Sequence, residues 1–173
     1  MGVDNKLKEK MCEQIRNELH AAYLYLAVSE YFESVALKGL AKWMLHHAEE
    51  ELEHAMKFYR HLVDRNERIN FYEIPKVDSN FKSPLEAAKA AYNHEVKVTK
   101  QINELYKLAD EVHDPAAKEL LLWFAKEQVE EEELTRTLVD LLTLANNESK
   151  ELLLIDFKYG ENAEKDHEEE EED

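Results

Sequence analysis

Residues 37–62, LKGLAKWMLHHAEEELEHAMKFYRHL, carry an apolar stripe with a carboxylate at its middle. Stepping by fours and threes gives Leu37, Ala41, Met44, Ala48, Glu51, Ala55, Phe58 and Leu62. That is the 3.5-residue seam of a helix packed nearly parallel or antiparallel to its neighbours. Three more stretches repeat the design. One runs Met11, Ile15, Glu18, Ala22, Tyr25, Ser29, Phe32, and a second Leu85, Ala88, Tyr92, Glu95, Thr99, Ile102, Tyr106, Ala109. The third runs Ala117, Leu121, Phe124, Gln128, Glu131, Thr135, Leu138, Leu142, Ala145. Glutamate is almost never fully buried without a partner. Four in one core would repel one another and stay protonated at a large cost. A multivalent cation removes that problem, so the pattern implies an all-α core built around metal.

Composition agrees with a compact helical protein. The 173 residues suit one domain. The three glycines and three prolines all fall outside the central parts of the four stretches. Cys12 alone cannot form an internal disulfide or a cysteine-rich metal site. No basic-then-apolar leader and no bilayer-length apolar run is read, so a cytoplasmic protein is expected. The net charge of −17 argues against nucleic acid and anionic membranes as partners. Between Glu161 and Asp173 nine acids face only Lys165, a net of −8. Such runs are usually solvated, so residues 1–158 are expected to form the domain and 159–173 an acidic, disordered tail.

Capping chemistry sets the expected boundaries. The first helix starts at Asp4 or Asn5 and runs to about Glu33; Ser34 caps the second, which runs to about Arg65. Ser83-Pro84-Leu85-Glu86 is a capping box with proline at the first helical position, opening the third. Asp114-Pro115 repeats the device for the fourth, which ends near Ala145, and Asn147 opens a short fifth through Phe157. The first and second helices, like the third and fourth, are joined by a few residues and form antiparallel hairpins. Between the second and third lie residues 66–82. A helix of about 28 residues spans about 42 Å, and about seventeen extended residues reach about 56 Å. The expected fold is a four-helix bundle with one long crossover between helices two and three, and Glu18, Glu51, Glu95 and Glu131 converge at mid-height.

Around that level the side chains read as a two-metal site. Glu51 and His54 stand at i and i+3 on one face, the Glu-x-x-His spacing of carboxylate-bridged iron and manganese proteins. Glu51 can bridge two ions while Glu18 and Glu95 take one side each. Oxygen-rich ligation with one imidazole suits iron or manganese. The spacing alone is weak, since Glu164 and His167 share it in the acidic tail without meaning. A reading in which the glutamates pair with basic residues needs such a residue at the same level, and none of the four stripes offers one.

Over about Lys6 to Phe157 the chain resembles the bacterial and archaeal non-haem ferritins. The likeness rests on Asn17-Glu18-Leu19 with Ala22-Tyr23-Leu24-Tyr25-Leu26, on residues 48–55 (AEEELEHA), on Tyr92-Asn93-His94-Glu95, and on Leu122-Trp123-Phe124 with residues 127–132 (EQVEEE). It implies a ferroxidase that stores iron as a mineral in a hollow assembly of 24 subunits, with Fe(II) and O2 or hydrogen peroxide as reactants. Glu18, Glu51 and His54 would hold the first iron, and Glu51, Glu95 and Glu131 the second. Gln128 would contact bound oxygen, Tyr25 would be redox-active, and Glu50, Glu127 and Glu130 would form a third site. Haem is not expected, because Leu52 follows Glu51 and the fourth helix has no matching histidine. The alternatives are a di-iron oxidase or peroxide scavenger without storage, and a non-catalytic metal-binding bundle. Among other residues, His46, His61 and His94 read as surface or edge positions, Trp43 and Trp123 as packing, Tyr23 and Tyr31 as contact surface, and Cys12 as a small hydrophobe.

Overall fold

The computed structural model describes residues 2–170, with side-chain environments through Ala163. Its helices are α1 (Asn5–Ser34), α2 (Lys38–Asp64), α3 (Pro84–Glu111), α4 (Pro115–Ala145) and α5 (Ser149–Glu170). The expected self-capping chemistry operates at three N-termini. The Asp4 carboxylate accepts from the Lys6 and Leu7 amides, Ser83 Oγ from Glu86 and Asp114 from Ala117. Glu86 in turn reaches back to the Lys82 amide at 3.1 Å, one residue earlier than a capping box requires.

The start of α2 departs from expectation. Ser34 is the last residue of α1 and donates to the Tyr31 carbonyl, so it caps nothing. Leu37 stands at the N-cap without a side-chain bond. The free Leu40 amide donates instead to the Asp156 carboxylate of α5 at 2.8 Å. Gly39 makes this crossing possible: a Cβ there would lie 1.9 Å from the Asp156 carbonyl oxygen.

The α4–α5 junction and the chain's C-terminal part differ too. Asn146 and Asn147 both adopt left-handed backbone, with φ of 46° and 61°, a conformation that asparagine tolerates. Asn147 therefore belongs to the turn, and α5 opens at Ser149. That helix continues through the acidic segment to Glu170, and Tyr159 and Ala163 are buried against α2. The packed part thus extends beyond residue 158. Residues 171–173, the end of the expected tail, lie outside the described residues, as do the side chains of Glu164 and His167.

The helices pack as two antiparallel pairs, α1 with α2 and α3 with α4; α1 also meets α3, and α5 lies on α2 and the end of α4. The crossover of residues 65–83 carries the chain between the pairs. Buried apolar residues divide into two clusters. One gathers Leu7, Met11, Phe58, Leu62, Ile102, Leu121 and Phe124; the other gathers Tyr25, Phe32, Leu40, Met44, Ala88, Leu138 and Tyr159. On every long helix the seam glutamate falls in the gap between them. No helix among the described residues is long and apolar enough to cross a membrane.

Candidate metal centre

Each helix of the bundle delivers one carboxylate to the polar layer. Glu18, Glu51, Glu95 and Glu131 are at most 2% exposed, and His54 and Gln128 are buried with them. One ligand atom each from Glu18, Glu51 and His54 lie within 4.8 Å of one another, and the same is true of Glu51, Glu95 and Glu131. Glu51 therefore belongs to both groups. His54 Nδ1 stands 3.3 Å from Glu51 Oε2. Glu18 Oε2, Glu131 Oε2 and His54 Nδ1 are buried without an aligned hydrogen-bond partner. Orphaned oxygens and an imidazole nitrogen converging in this way fit a hard to borderline cation.

Neighbouring residues orient the carboxylates. Gln14 Nε2 donates to Glu18 Oε1 at 2.8 Å, and Gln128 Nε2 to Glu95 Oε2 at 2.9 Å. The Tyr25 hydroxyl donates to Glu95 Oε1. Burial pushes Glu51 well above the usual carboxylate range, and the charges of Glu95 and Glu18 push it further. Burial also raises Glu18, against the opposing effect of its contacts with Glu51, His54 and Gln14. Glu95 is carried to about 7, by burial first and then by Glu131. Tyr25 is held well above its ordinary range, chiefly by burial and the charge of Glu95. Without metal, protons neutralise part of a site whose ionised form needs a cation.

A family description of the ferritin-like domain matches residues 8–145, which contain all four carboxylates. The chain belongs to the ferritin family. It is 38% identical to ferritin BfrB of Mycobacterium tuberculosis over 138 residues, covering 80% of this chain and 76% of that one. With the bacterial non-heme ferritin of Campylobacter jejuni it shares 35% identity over 144 residues, 83% and 86% of the two chains. Among solved structures, the open pore ferritin of the archaeon Archaeoglobus fulgidus superposes with a TM-score of 0.89 at 38% identity, covering 91% of this chain and 96% of that one. The motifs thus pointed to the right family, the bacterial and archaeal non-haem ferritins.

This ferritin has a third ligand group that the seams do not reveal. His47, Glu50 and Glu131 bring one ligand atom each within 4.8 Å of one another. His47 Nδ1 lies 3.0 Å from Glu50 Oε2 and 3.4 Å from Glu131 Oε2. Burial disfavours the charged imidazole, but contacts with Glu131 and Glu50 outweigh it and lift His47 to about 10. Burial likewise opposes ionisation of Glu50, and His47 overcomes it, holding that carboxyl low. The family resemblance groups Glu50 with Glu127 and Glu130. Glu127, raised mainly by burial, lies 4.0 Å from His54 Nε2, and Glu130 is exposed and in none of the three groups. His47 was missed because it sits one position off the α2 stripe. Its signal was the spacing: three residues before Glu50 and four before Glu51, hence on their face.

Several plainer expectations shift as well. His46 and His94 are buried rather than at an edge, and burial pushes His94 down to about 4. His61 is half-buried beside Arg65. Trp43 is buried between the rings of His47 and Tyr159; Trp123 is 37% exposed, with the Lys57 ammonium 4.1 Å from its ring centre. Tyr23 is exposed, Tyr31 packs on Phe81, and Cys12 lies in the first apolar cluster.

Proposed function

We propose that this ferritin oxidises Fe(II) to Fe(III) with O2 or hydrogen peroxide at a di-iron site within each subunit and stores the product as a ferric mineral inside a hollow homo-oligomer. The observation that carries this reading is the pair of three-residue ligand groups sharing Glu51 in a layer otherwise sealed by apolar clusters. Glu18, Glu51 and His54 hold one ferrous ion; Glu51, Glu95 and Glu131 hold the other. Binding displaces the protons on Glu51 and Glu95, so the carboxylates meet the rising positive charge of the ferric pair in ionised form. Gln128, fixed on Glu95, is placed to orient the oxidant, and Tyr25 can pass its proton to Glu95.

His47, Glu50 and Glu131 converge as a further ion site, next to the expected third set of Glu50, Glu127 and Glu130. Glu50 also borders a cavity of about 230 Å³ with Glu49, Glu53, His54 and Glu127, which gives the oxidised ions an acidic way out. Storage needs an enclosure. An apolar groove of about 630 Å³ on α1 and α2, lined by Tyr23, Leu26, Leu45 and Leu52, and the exposed Leu153, Leu154 and Phe157 of α5 are surfaces that further copies would cover. The family likeness suggests 24 copies, in the cytoplasm and without haem.

Aerobic Fe(II) loading, followed by particle sizing and an iron count, tests the proposal. Twenty-four chains of 20.4 kDa make a particle of about 490 kDa, and it should take up tens of irons per chain or more. Uptake that stops at the two or three ions of the ligand groups would favour a di-iron oxidase or peroxide scavenger instead.

A further inference from the structure

Two indole rings touch the imidazoles of the metal centre, and they differ in what stands behind them. Trp123 lies 5.6 Å from His54 between ring centres. The Lys57 ammonium sits over its face at 4.1 Å, which opposes removal of an electron, and the ring beyond it is Phe124, which is hard to oxidise. Trp43 lies 4.2 Å from His47, edge to face, and its other neighbour is the oxidisable ring of Tyr159 at 4.8 Å. His47 in turn meets Tyr25 at 6.0 Å, and the Tyr25 hydroxyl is bonded to Glu95. Trp43, Tyr159 and Tyr25 are all at most 7% exposed. A continuous run of packed rings therefore leads from a ligand carboxylate to α5, a helix that contributes no ligand to any of the three groups.

We propose that Trp43 and Tyr159 form a one-electron relay that serves the metal centre through His47 and Tyr25. It rests on the ferroxidase reading above. Two Fe(II) ions supply two electrons and take O2 to hydrogen peroxide. Breaking the O–O bond to give two waters needs two more electrons and two protons. Tyr25 gives the first electron and its phenolic proton moves to Glu95; an electron from Trp43, with that proton returned, restores it. Tyr159 then refills Trp43 and loses its own phenolic proton, beside the Glu133 carboxylate whose charge acts on that phenol. A second electron leaves Trp43 with its indole proton. Hydrogen peroxide, Tyr159 and Trp43 thus become two waters and two neutral ring radicals, which later Fe(II) ions reduce with uptake of two protons. The sum is four Fe(II), one O2 and four protons giving four Fe(III) and two waters.

The test is to mix Fe(II)-loaded protein with O2 and follow three signals: fast iron oxidation by absorbance, organic radicals by freeze-quench electron paramagnetic resonance, and released hydrogen peroxide. Tyr159→Phe keeps the ring and Trp43→Phe keeps a smaller aromatic ring in the core, and ring-deuterated tyrosine in the unsubstituted chain marks tyrosyl radicals without any substitution. Fast iron oxidation should persist in both variants. Trp43→Phe should confine the radical to Tyr25, Tyr159→Phe should leave it on Trp43, and both should release more peroxide per O2. An unsubstituted chain whose radical does not narrow on tyrosine deuteration, or variants with unchanged radical and peroxide yield, would overturn the relay while leaving the ferroxidase reading intact. Loss of fast oxidation in the unsubstituted chain would instead overturn the ferroxidase reading.

Discussion

The two ends of the bundle and its middle are built on opposite principles. Each end is a closed apolar cluster that needs nothing but its own helices; Phe58 and Phe124 stack at 4.4 Å in one, and Phe32, Leu40 and Leu138 fill the other. The middle layer holds four buried carboxylates, and burial raises three of them, Glu18, Glu51 and Glu95, so that protons neutralise part of the layer. The ends supply the stability that lets the middle remain in an arrangement unfavourable without metal. Stability and chemistry are thus divided by height along the same four helices.

Substitutions at the two levels should separate these roles. Phe124→Ala removes a fully buried ring from an end cluster and should lower unfolding free energy by about 3–5 kcal/mol in a denaturant titration. Glu51→Ala removes a carboxyl that burial disfavours, so the metal-free protein should be no less stable, yet fast Fe(II) oxidation should disappear. A destabilised Glu51→Ala that still oxidises iron would reverse the division.

Metal should stabilise through the middle layer alone. With free ion at 100 times its dissociation constant, one site adds about 2.7 kcal/mol. Anaerobic Fe(II) or Zn(II) should raise the thermal midpoint of the unsubstituted chain by more than that of Glu51→Ala, which keeps only the group of His47, Glu50 and Glu131 intact.

The pH dependence should change sign with metal. Glu95 has a folded pKa of about 7, above the usual carboxylate range, so the folded state holds a proton that the unfolded chain has released. Its contribution is present at acid pH and lost as pH rises towards and through 7. His47, at about 10, contributes stability below its unfolded value that is lost as pH rises through 10. These two groups should therefore make metal-free stability decline from mildly acid to alkaline pH. With metal the protons must leave, so affinity and stabilisation should rise with pH over the acid-to-neutral range. Parallel slopes for the two forms in thermal melts would contradict this.

The smallest expected effect lies at the end remote from Phe124. Asp156→Ala removes the side-chain partner of the Leu40 amide at the start of α2 and should cost about 1 kcal/mol, as an N-cap does. Faster amide exchange at Leu40 and in α5, with the ligand groups undisturbed, would be its signature.

How far the sequence could be read follows from the range of the interactions concerned. The starts of α3 and α4 were legible because Ser83 and Asp114 act on amides three residues away. The seam glutamates were legible because a 3.5-residue period leaves them no other face. The Leu40–Asp156 bond joins residues 116 apart, and no local pattern announces it. The length of α5 was obscured by composition: Leu152, Ile155, Tyr159 and Ala163 keep helical spacing, but the acids among them suggested a solvated tail. His47 was hidden because a residue beside the seam can still turn into a layer that has room for it.

The central claim is that the middle layer is built for iron. Its most direct test is a crystal of the protein loaded anaerobically with Fe(II), with anomalous scattering measured at the iron edge. The account predicts peaks between Glu18, Glu51 and His54 and between Glu51, Glu95 and Glu131. Peaks confined to surface acids, with the layer still hydrogen-bonded within itself, would contradict it.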